Sequence, residues 1–404
     1  MPRGARRDGT VLVIVGDTLH HRDAHGRLHT HGALAGQLDL WAVRFDRVRF
    51  VGVLGDGPPP PGFAPYAATN IVLVPLRAAG GTGSWAKIGA LAASVSWLAT
   101  LVPELRRADA AHLRTPCNVT LPGLMAARLL VKHRYAIYAG SWESYPGEPR
   151  SYRAQRWWLR RAFGGTVHAY LPDEASDPPR RPAFSPVLDR TGLDVLVEEA
   201  ATRRLHEGSP GVERPLRVVS VGRFSANKNQ IALVRALHLL AGRGVTVEAC
   251  LIGEGPEAAR VAAAAAGLDH LRFVDHADRD EVFDAMGRAD LVVLPSFREG
   301  YPKVLLEGIS AGALPVAADR PVNRAMVQGR GWVFDPDDPD ELAAVLEQAI
   351  GLSVDGWAER RACALDYARS HTLEAFAAEI DAIVGTWDLP APALAVGTEA
   401  STER

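Results

Sequence analysis

The chain predicts an α/β fold made of two doubly wound parallel-sheet domains. Short β-rich runs alternate with helical patterns along most of its length, a rhythm that yields a parallel sheet covered by helices. The alternation occurs twice, on either side of a stretch dense in proline, glycine and charge. Residues suited to ligand chemistry follow directly after strand-like runs, where open parallel sheets place their ligands.

In the first half, "VLVIV" (11–15), "VRFVGVL" (48–54), "NIVLVPL" (70–76), "AAHLR" (110–114), "YAIYA" (135–139) and "VHAYLP" (167–172) read as strands. In the second half, "RVVSVG" (217–222), "VEACLIG" (247–253), "LRFVD" (271–275), "DLVVLPS" (290–296) and "LPVAA" (314–318) repeat the scheme. The connection, 173–215, opens with "DEASDPPRRPAFSP" and closes with "GSPGVERP", with a helical "LDVLVEEAATRRL" between. The domain boundary is expected near 210: an N-terminal domain over 1–210, a C-terminal domain with closing helices over 211–388, and a disordered tail over 389–404. The apolar "IGALAASVSWLATLV" (88–102) is shorter than a bilayer span and ends at Pro103, so it reads as a buried helix.

Composition narrows the class. A length of 404 residues with 47% hydrophobic residues supports more than one core. A formal charge of −2 argues against a nucleic-acid partner. Cys117, Cys250 and Cys363 are far apart, without metal-ligand spacing, and read as core thiols of a reducing, cytoplasmic setting. The five-residue apolar run after the basic N-terminus is too short for a secretory leader.

The second half carries the clearest chemistry. After "RVVSVG" come Gly222, Arg223 and Lys228, then a helix; a glycine allows close approach, and two cations at a helix start favour a diphosphate. Two solvated surface cations are the plain alternative. Glu254-Gly255-Pro256 is a tight turn, and no G-x-G-x-x-G follows a first strand, so a nicotinamide cofactor is not expected. In "EGYPKVLLEG" (299–308) Pro302 suits the first helical position. Tyr301 would sit near the N-cap, and the amides of Lys303, Val304 and Leu305 would be free for an anion. Glu299 before the helix and Glu307 within it would accept bonds from a sugar and a ribose diol. A lone Glu-x7-Glu is weak evidence, since about one occurs by chance in a chain of this size; its place after a strand is what gives it meaning.

These segments together resemble the C-terminal domain of the retaining GT-B glycosyltransferases of family four, a group that includes bacterial sugar transferases and sucrose and sucrose-phosphate synthases. "VGRFSANKNQIALVRAL", "LIGEGPE", the block "DRDEVFDAMGRADLVVLPSFREGYPKVLLEGISAGALPVAAD" and "GRGWVFDPDDPDELAAVL" match in order from about 217 to 350. The resemblance implies a GT-B fold, two Rossmann-like domains facing a cleft. It implies transfer of a hexose-type sugar from a nucleotide-diphosphate sugar, UDP- or GDP-linked, to an acceptor hydroxyl on a glycan, a lipid-linked molecule or a natural product. Arg223 and Lys228 would bind the diphosphate, Glu299 the sugar, Glu307 the ribose, and Gly300 to Val304 would complete the pocket, with His276 and Ala277 near the base. No cofactor or metal is implied, because the cations and a helix start supply positive charge. A UDP-sugar 2-epimerase on the same fold and an inactive nucleotide-sugar binder are the alternatives; intact Arg223, Lys228, Glu299 and Glu307 disfavour the second.

The first half should bind the acceptor. His20, His21, His25, His29 and His31 follow the first strand; His21, His25 and His29 share helical spacing, open to a metal site, although a mobile polar loop is the preferred reading. Gly32 fits the family's phosphate-facing glycine, without the usual second glycine. Arg114 stands where many relatives carry a histidine. Ser141 and Trp142, after another strand, are candidates for the acceptor, Trp142 by stacking or else as a packed loop residue. "YRAQRWWLRRAF" (152–163) interleaves arginines with aromatics: either it lies on anionic membrane as a peripheral contact, or it buries its tryptophans and leaves its arginines in water.

Overall fold

The computed structural model describes residues 9–76, 84–170, 180–205, 210–211 and 213–393. They divide into two compact units, one running up to Tyr170 and taken up again from Phe376, the other from Phe184 to Ala375.

Unit 1 contains β1 (Val11–Arg22), β2 (Leu28–His31), α1 (Gly32–Ala42), β3 (Arg47–Leu54), β4 (Phe63–Pro65), β5 (Ile71–Leu76), α2 (Ser84–Arg107), β6 (Ala110–Thr115), α3 (Thr120–Leu130), β7 (His133–Tyr138), α4 (Arg150–Arg161), β8 (Thr166–Ala169) and β9 (Arg180–Pro182). β1 lies between β3 and β6, and β5, β3, β1, β6, β7, β8 and β9 are parallel neighbours in that order. The apolar run of β1 is buried on both faces, from Leu12 to Val15, as a central strand of a covered sheet requires.

Unit 2 contains α5 (Arg190–Leu205), β10 (Leu216–Val221), α6 (Gln230–Gly242), β11 (Val247–Ile252), α7 (Ala258–Ala264), β12 (Leu271–Val274), α8 (Arg279–Arg288), β13 (Leu291–Leu294), α9 (Lys303–Ser310), β14 (Leu314–Ala318), α10 (Pro321–Val327), β15 (Trp332–Phe334), α11 (Pro339–Ile350) and α12 (Val354–Arg369). Its sheet runs β12-β11-β10-β13-β14-β15, all parallel. The order reverses between β10 and β13, so the crevice at their carboxyl ends is the place where a doubly wound sheet accepts ligands.

The last helix, α13 (Leu373–Val384), begins in unit 2 and ends in unit 1. Arg44 pairs with Asp381 at 2.6 Å and donates to the Ala377 carbonyl, while Trp387 stands beside Trp41 and Phe45. The division at Ala183/Phe184 and the return of residues from Phe376 onward differ from a boundary near 210 and a C-terminal domain ending at 388. Apolar contacts between segments distant in sequence determine compactness, and composition does not record them. Part of the proline-rich connection, and residues 394–404 of the expected tail, lie outside the described residues. Ala393 still donates to Asp46 at 2.7 Å.

Three local expectations are corrected. Helix α2 continues past Pro103 to Arg107. The lost backbone bond, worth about 3 kcal/mol in an isolated helix, is offset because Leu101 and Leu105 are fully buried and Glu104 pairs with Arg49. The histidine-rich segment is a hairpin, with no helix and with only the turn 23–27 as polar loop: β1 shifts register between Val15 and Leu19, resumes pairing with β3, and folds back on β2. His20 and His21 are buried in it, and burial pushes His20 down to about 4 while it shares a 2.8 Å hydrogen bond with the Tyr66 hydroxyl. Among the described residues no three His, Cys, Asp or Glu side chains gather as metal ligands. In α4 the pattern holds only in part: Arg153, Arg160 and Arg161 are exposed and Trp158 is half-buried, but Arg156 is buried and meets Glu148 with both guanidinium nitrogens, and Trp157 is 52% exposed. Among the described residues no helix is long and apolar enough to cross a membrane.

Candidate functional site in the second unit

The loop after β10 is built on glycines whose backbones touch. Gly253 (φ 134°) and Gly255 (φ 151°) adopt conformations costly for other residues, and a Cβ on them would run into the carbonyl oxygens of Gly222 and Phe224. The turn is closed by bonds from Gly222 N to Ile252 O (2.9 Å) and from Phe224 N to Glu254 O (2.7 Å). At Gly222 itself an added Cβ would meet only the Lys228 stem, at 3.9 Å, so glycine keeps the space over that lysine clear. Phe224 is buried and anchors the loop in the core.

From there the chain curls into α6. Lys228 N and Asn229 N both donate to Ser225 O, and Asn229 is left-handed (φ 52°), an uncommon state for a residue other than glycine. Its Nδ2 donates to Pro336 O at 2.9 Å, which holds it there. Asn227 ties this loop to the one after β13: its Nδ2 donates to Arg298 O (3.0 Å), its backbone oxygen accepts from Phe297 N (2.8 Å), and its Oδ1 accepts from Arg298 Nε (3.2 Å). Arg320 donates to Phe297 O at 2.7 Å from the end of β14.

This stitching brings Lys228 Nζ to 2.6 Å from Glu299 Oε1, with side chains 27% and 11% exposed. Arg223, on the same loop, is exposed and makes no ion pair among the described residues. Cation, cation and carboxylate therefore share the carboxyl ends of β10 and β13. Asn227, Asn229 and Arg320 escaped the sequence reading; the "ANKNQ" run before a helix was the one available signal for the asparagines.

The helix start differs from expectation. Pro302 is the N-cap and Lys303 the first helical residue, so the proline sits one position earlier than predicted. Two of the three amides expected to face an anion are engaged: Lys303 N donates to Tyr301 O and Leu305 N to Pro302 O, each at 2.9 Å. Tyr301 and Gly300 are half-buried in the approach, as is Val304 in the first turn. Glu307 follows one turn on, half-buried; burial raises its carboxyl pKa against the opposing charges of Lys303 and Arg279. Its neighbour Gly308 lets α9 settle onto β13, since a Cβ there would lie 2.5 Å from Val292 Cγ1.

His276 lies exposed after β12, its Nδ1 2.9 Å from the Asp275 carbonyl and 3.8 Å from Glu254 Oε2. Ala277 precedes Asp278, whose side chain and Glu281 form a reciprocal cap on α8.

In unit 1, Gly32 opens α1, its N–H given to Gly62 O at 3.0 Å. Ser141 Oγ donates to Glu143 O at 3.3 Å. Trp142 is packed, at 6% exposure, edge-on to Tyr138 with Arg160 over its ring; this is the packed-residue alternative, because the face needed for stacking is covered.

Residues 215–351 match the family described as glycosyl transferases group 1. The chain is 27% identical over 146 residues to the amylovoran biosynthesis glycosyltransferase AmsK of Erwinia amylovora, covering 33% of this chain and 36% of that protein. It is 32% identical over 168 residues to the phosphatidyl-myo-inositol mannosyltransferase of Mycolicibacterium smegmatis, covering 41% and 42%. The chain thus spans less than half the length of these curated relatives. Among solved structures, Anabaena HepE in complex with UDP and glucose superposes with a TM-score of 0.64 at 16% identity, over 93% of this chain and 100% of that one. At that identity the likeness speaks for the fold: the chain has the GT-B fold, and its residues 215–351 match the glycosyl transferases group 1 family.

Proposed function

We propose that the protein is a retaining glycosyltransferase of the family-four type, moving a hexose-type sugar from a UDP- or GDP-sugar to an acceptor hydroxyl. The observation that carries this reading is the meeting of Lys228 and Glu299 at the switch point of the unit 2 sheet, beside the exposed Arg223. The match of residues 215–351 to glycosyl transferases group 1 supports it.

In this reading Lys228 exchanges Glu299 for the donor's diphosphate, and Arg223 adds a second cation. Glu299, released, accepts hydrogen bonds from sugar hydroxyls. Glu307 receives the ribose diol, with His276 and Ala277 toward the base. Gly222 leaves room over Lys228, and Gly300, Tyr301, Pro302, Lys303 and Val304 line the approach. As the glycosidic bond lengthens, negative charge grows on the leaving phosphate, and preorganised cations stabilise it more than they stabilise the ground state. The acceptor attacks from the face the diphosphate leaves, through an oxocarbenium-like state, so no protein nucleophile and no cofactor or resident metal is invoked. The acceptor is a glycan, a lipid-linked molecule or a small natural product, and the reaction belongs to the cytoplasm, with peripheral membrane contact open.

The test is a panel of UDP-, GDP-, ADP- and dTDP-sugars scored by calorimetric binding and by release of the nucleoside diphosphate with and without mixed acceptors. Binding of one class, with release dependent on acceptor and product of unchanged anomeric configuration by NMR, is expected. Donor isomerisation without acceptor would replace this reading with the epimerase. Failure of every nucleotide sugar to bind would remove it.

A further inference from the structure

Among the described residues, unit 1 holds one half-buried arginine whose side chain has neither an ion-pair nor a hydrogen-bond partner. Arg114, the next-to-last residue of β6, pairs with Ile137 of β7 at the carboxyl end of the sheet, where ligands of doubly wound folds bind. Its stem lies against the bare backbone of Gly16, where an added Cβ would stand 3.3 Å from Arg114 Cβ and 3.7 Å from Cδ. Gly16 begins the stretch over which β1 breaks register, so the bulge and the arginine occupy one spot.

The other buried or half-buried arginines described in this unit are answered. Arg44 meets Asp381, Arg49 meets Glu104 and Arg156 meets Glu148, while Arg134 donates to the carbonyls of Val131, Phe163 and Gly164. The Arg114 side chain, half-buried, makes no hydrogen bond and no ion pair among the described residues.

None of the described groups that act on it forms an ion pair with it. Tyr66, Tyr135 and Tyr170 are neutral phenols, and burial pushes the Cys117 thiol up to about 11. Asp17 feels Arg114 but lies beyond ion-pair distance, and its own pKa is raised by burial. A guanidinium keeps its charge at any physiological pH and offers five N–H donors in a planar fork that fits a carboxylate or phosphate in pairs. Half-buried, with those donors taken up by no described residue, it is open to a ligand that completes them.

We infer that Arg114 is the anchor of an oxyanion site in unit 1, which binds a phosphate or carboxylate carried by the acceptor. The name "acceptor" rests on the glycosyl-transfer reading; the anion site does not, and its test needs no transfer.

The full chain is titrated with inorganic phosphate, glucose 6-phosphate, glucuronate and glucose, as wild type, R114Q and R114K. Binding of at least one anion but not of glucose is expected. R114Q should weaken it tenfold or more, and R114K less. Glucose 6-phosphate against glucuronate then decides between phosphate and carboxylate. Should R114Q fail to fold, phenylglyoxal labelling of the wild type replaces it: the bound anion should protect Arg114, located by mass spectrometry. The proposal is overturned if the wild type binds none of the anions, if folded R114Q binds them unchanged, or if Arg114 stays unprotected. A nucleotide sugar still bound in any of those cases would leave the unit 2 reading standing.

Discussion

Lys228 Nζ lies 2.6 Å from Glu299 Oε1, an ion pair that joins the loops leaving β10 and β13. Each partner is accessible enough to exchange the other for a ligand. The pair fixes the two loops and, in the proposed reading, would compete with the donor's diphosphate for the lysine.

That competition separates two variants. Lys228→Ala should lower kcat/KM for sugar transfer on the order of 10²-fold, the usual loss for one transition-state charge contact. Glu299→Gln should also lose transfer, yet bind the free nucleoside diphosphate roughly two- to fivefold more tightly, matching the small energy of a partly solvated ion pair. Calorimetry on both variants reads the difference; weaker diphosphate binding by Glu299→Gln would remove the exchange.

Glu307 makes stability depend on pH. Its carboxyl pKa is raised above 4.5 by burial, so between that value and its native pKa the folded state holds more protons than the unfolded chain. Stability then falls as pH rises through this window. Glu307→Gln should be more stable than the wild type at pH 7 and equal to it below pH 4, measured by urea denaturation at both pH values. A constant gap would show that the carboxyl is not desolvated.

At Gly308 the packing leaves no room for a methyl. Gly308→Ala should destabilise by about 1–3 kcal/mol through overpacking against Val292, and Val292→Ala in the same chain should recover part of that. Denaturation midpoints of the two single variants and the double variant give the coupling.

Asn229 tests the loop conformation. Asn229→Ala loses the bond to Pro336 and keeps a left-handed residue, a cost of about 1–2 kcal/mol. Asn229→Gly loses the bond without the strain and should cost less. The reverse order of melting temperatures would show that the conformation is not what the residue is retained for.

Much of the architecture could be read in advance because its signals are local. "VLVIV", "RVVSVG" and "DLVVLPS" are apolar over the length of a covered strand, and each appears as one in the parallel sheets. The short β15 and the hairpin strands β2 and β4 escaped, since three or four residues carry no period. Lys228 and Glu299 were each readable as site residues because each follows a strand, and a doubly wound sheet sends all such loops to one end; that they pair directly was not.

What a chain carries in its local pattern is the rhythm of apolar and polar residues, and here that rhythm alone determined two parallel-sheet units and the strand ends that bear the charged groups. Only the tertiary structure decided that α2 runs through Pro103, that the histidines pair within a hairpin, that Trp142 is covered, that Asn229 turns left-handed and that α13 returns to unit 1. It alone decided, too, that Arg114 forms no ion pair among the described residues. Each of these depends on which distant residue comes to lie alongside, and burial and pairing are properties of that neighbour as much as of the residue itself.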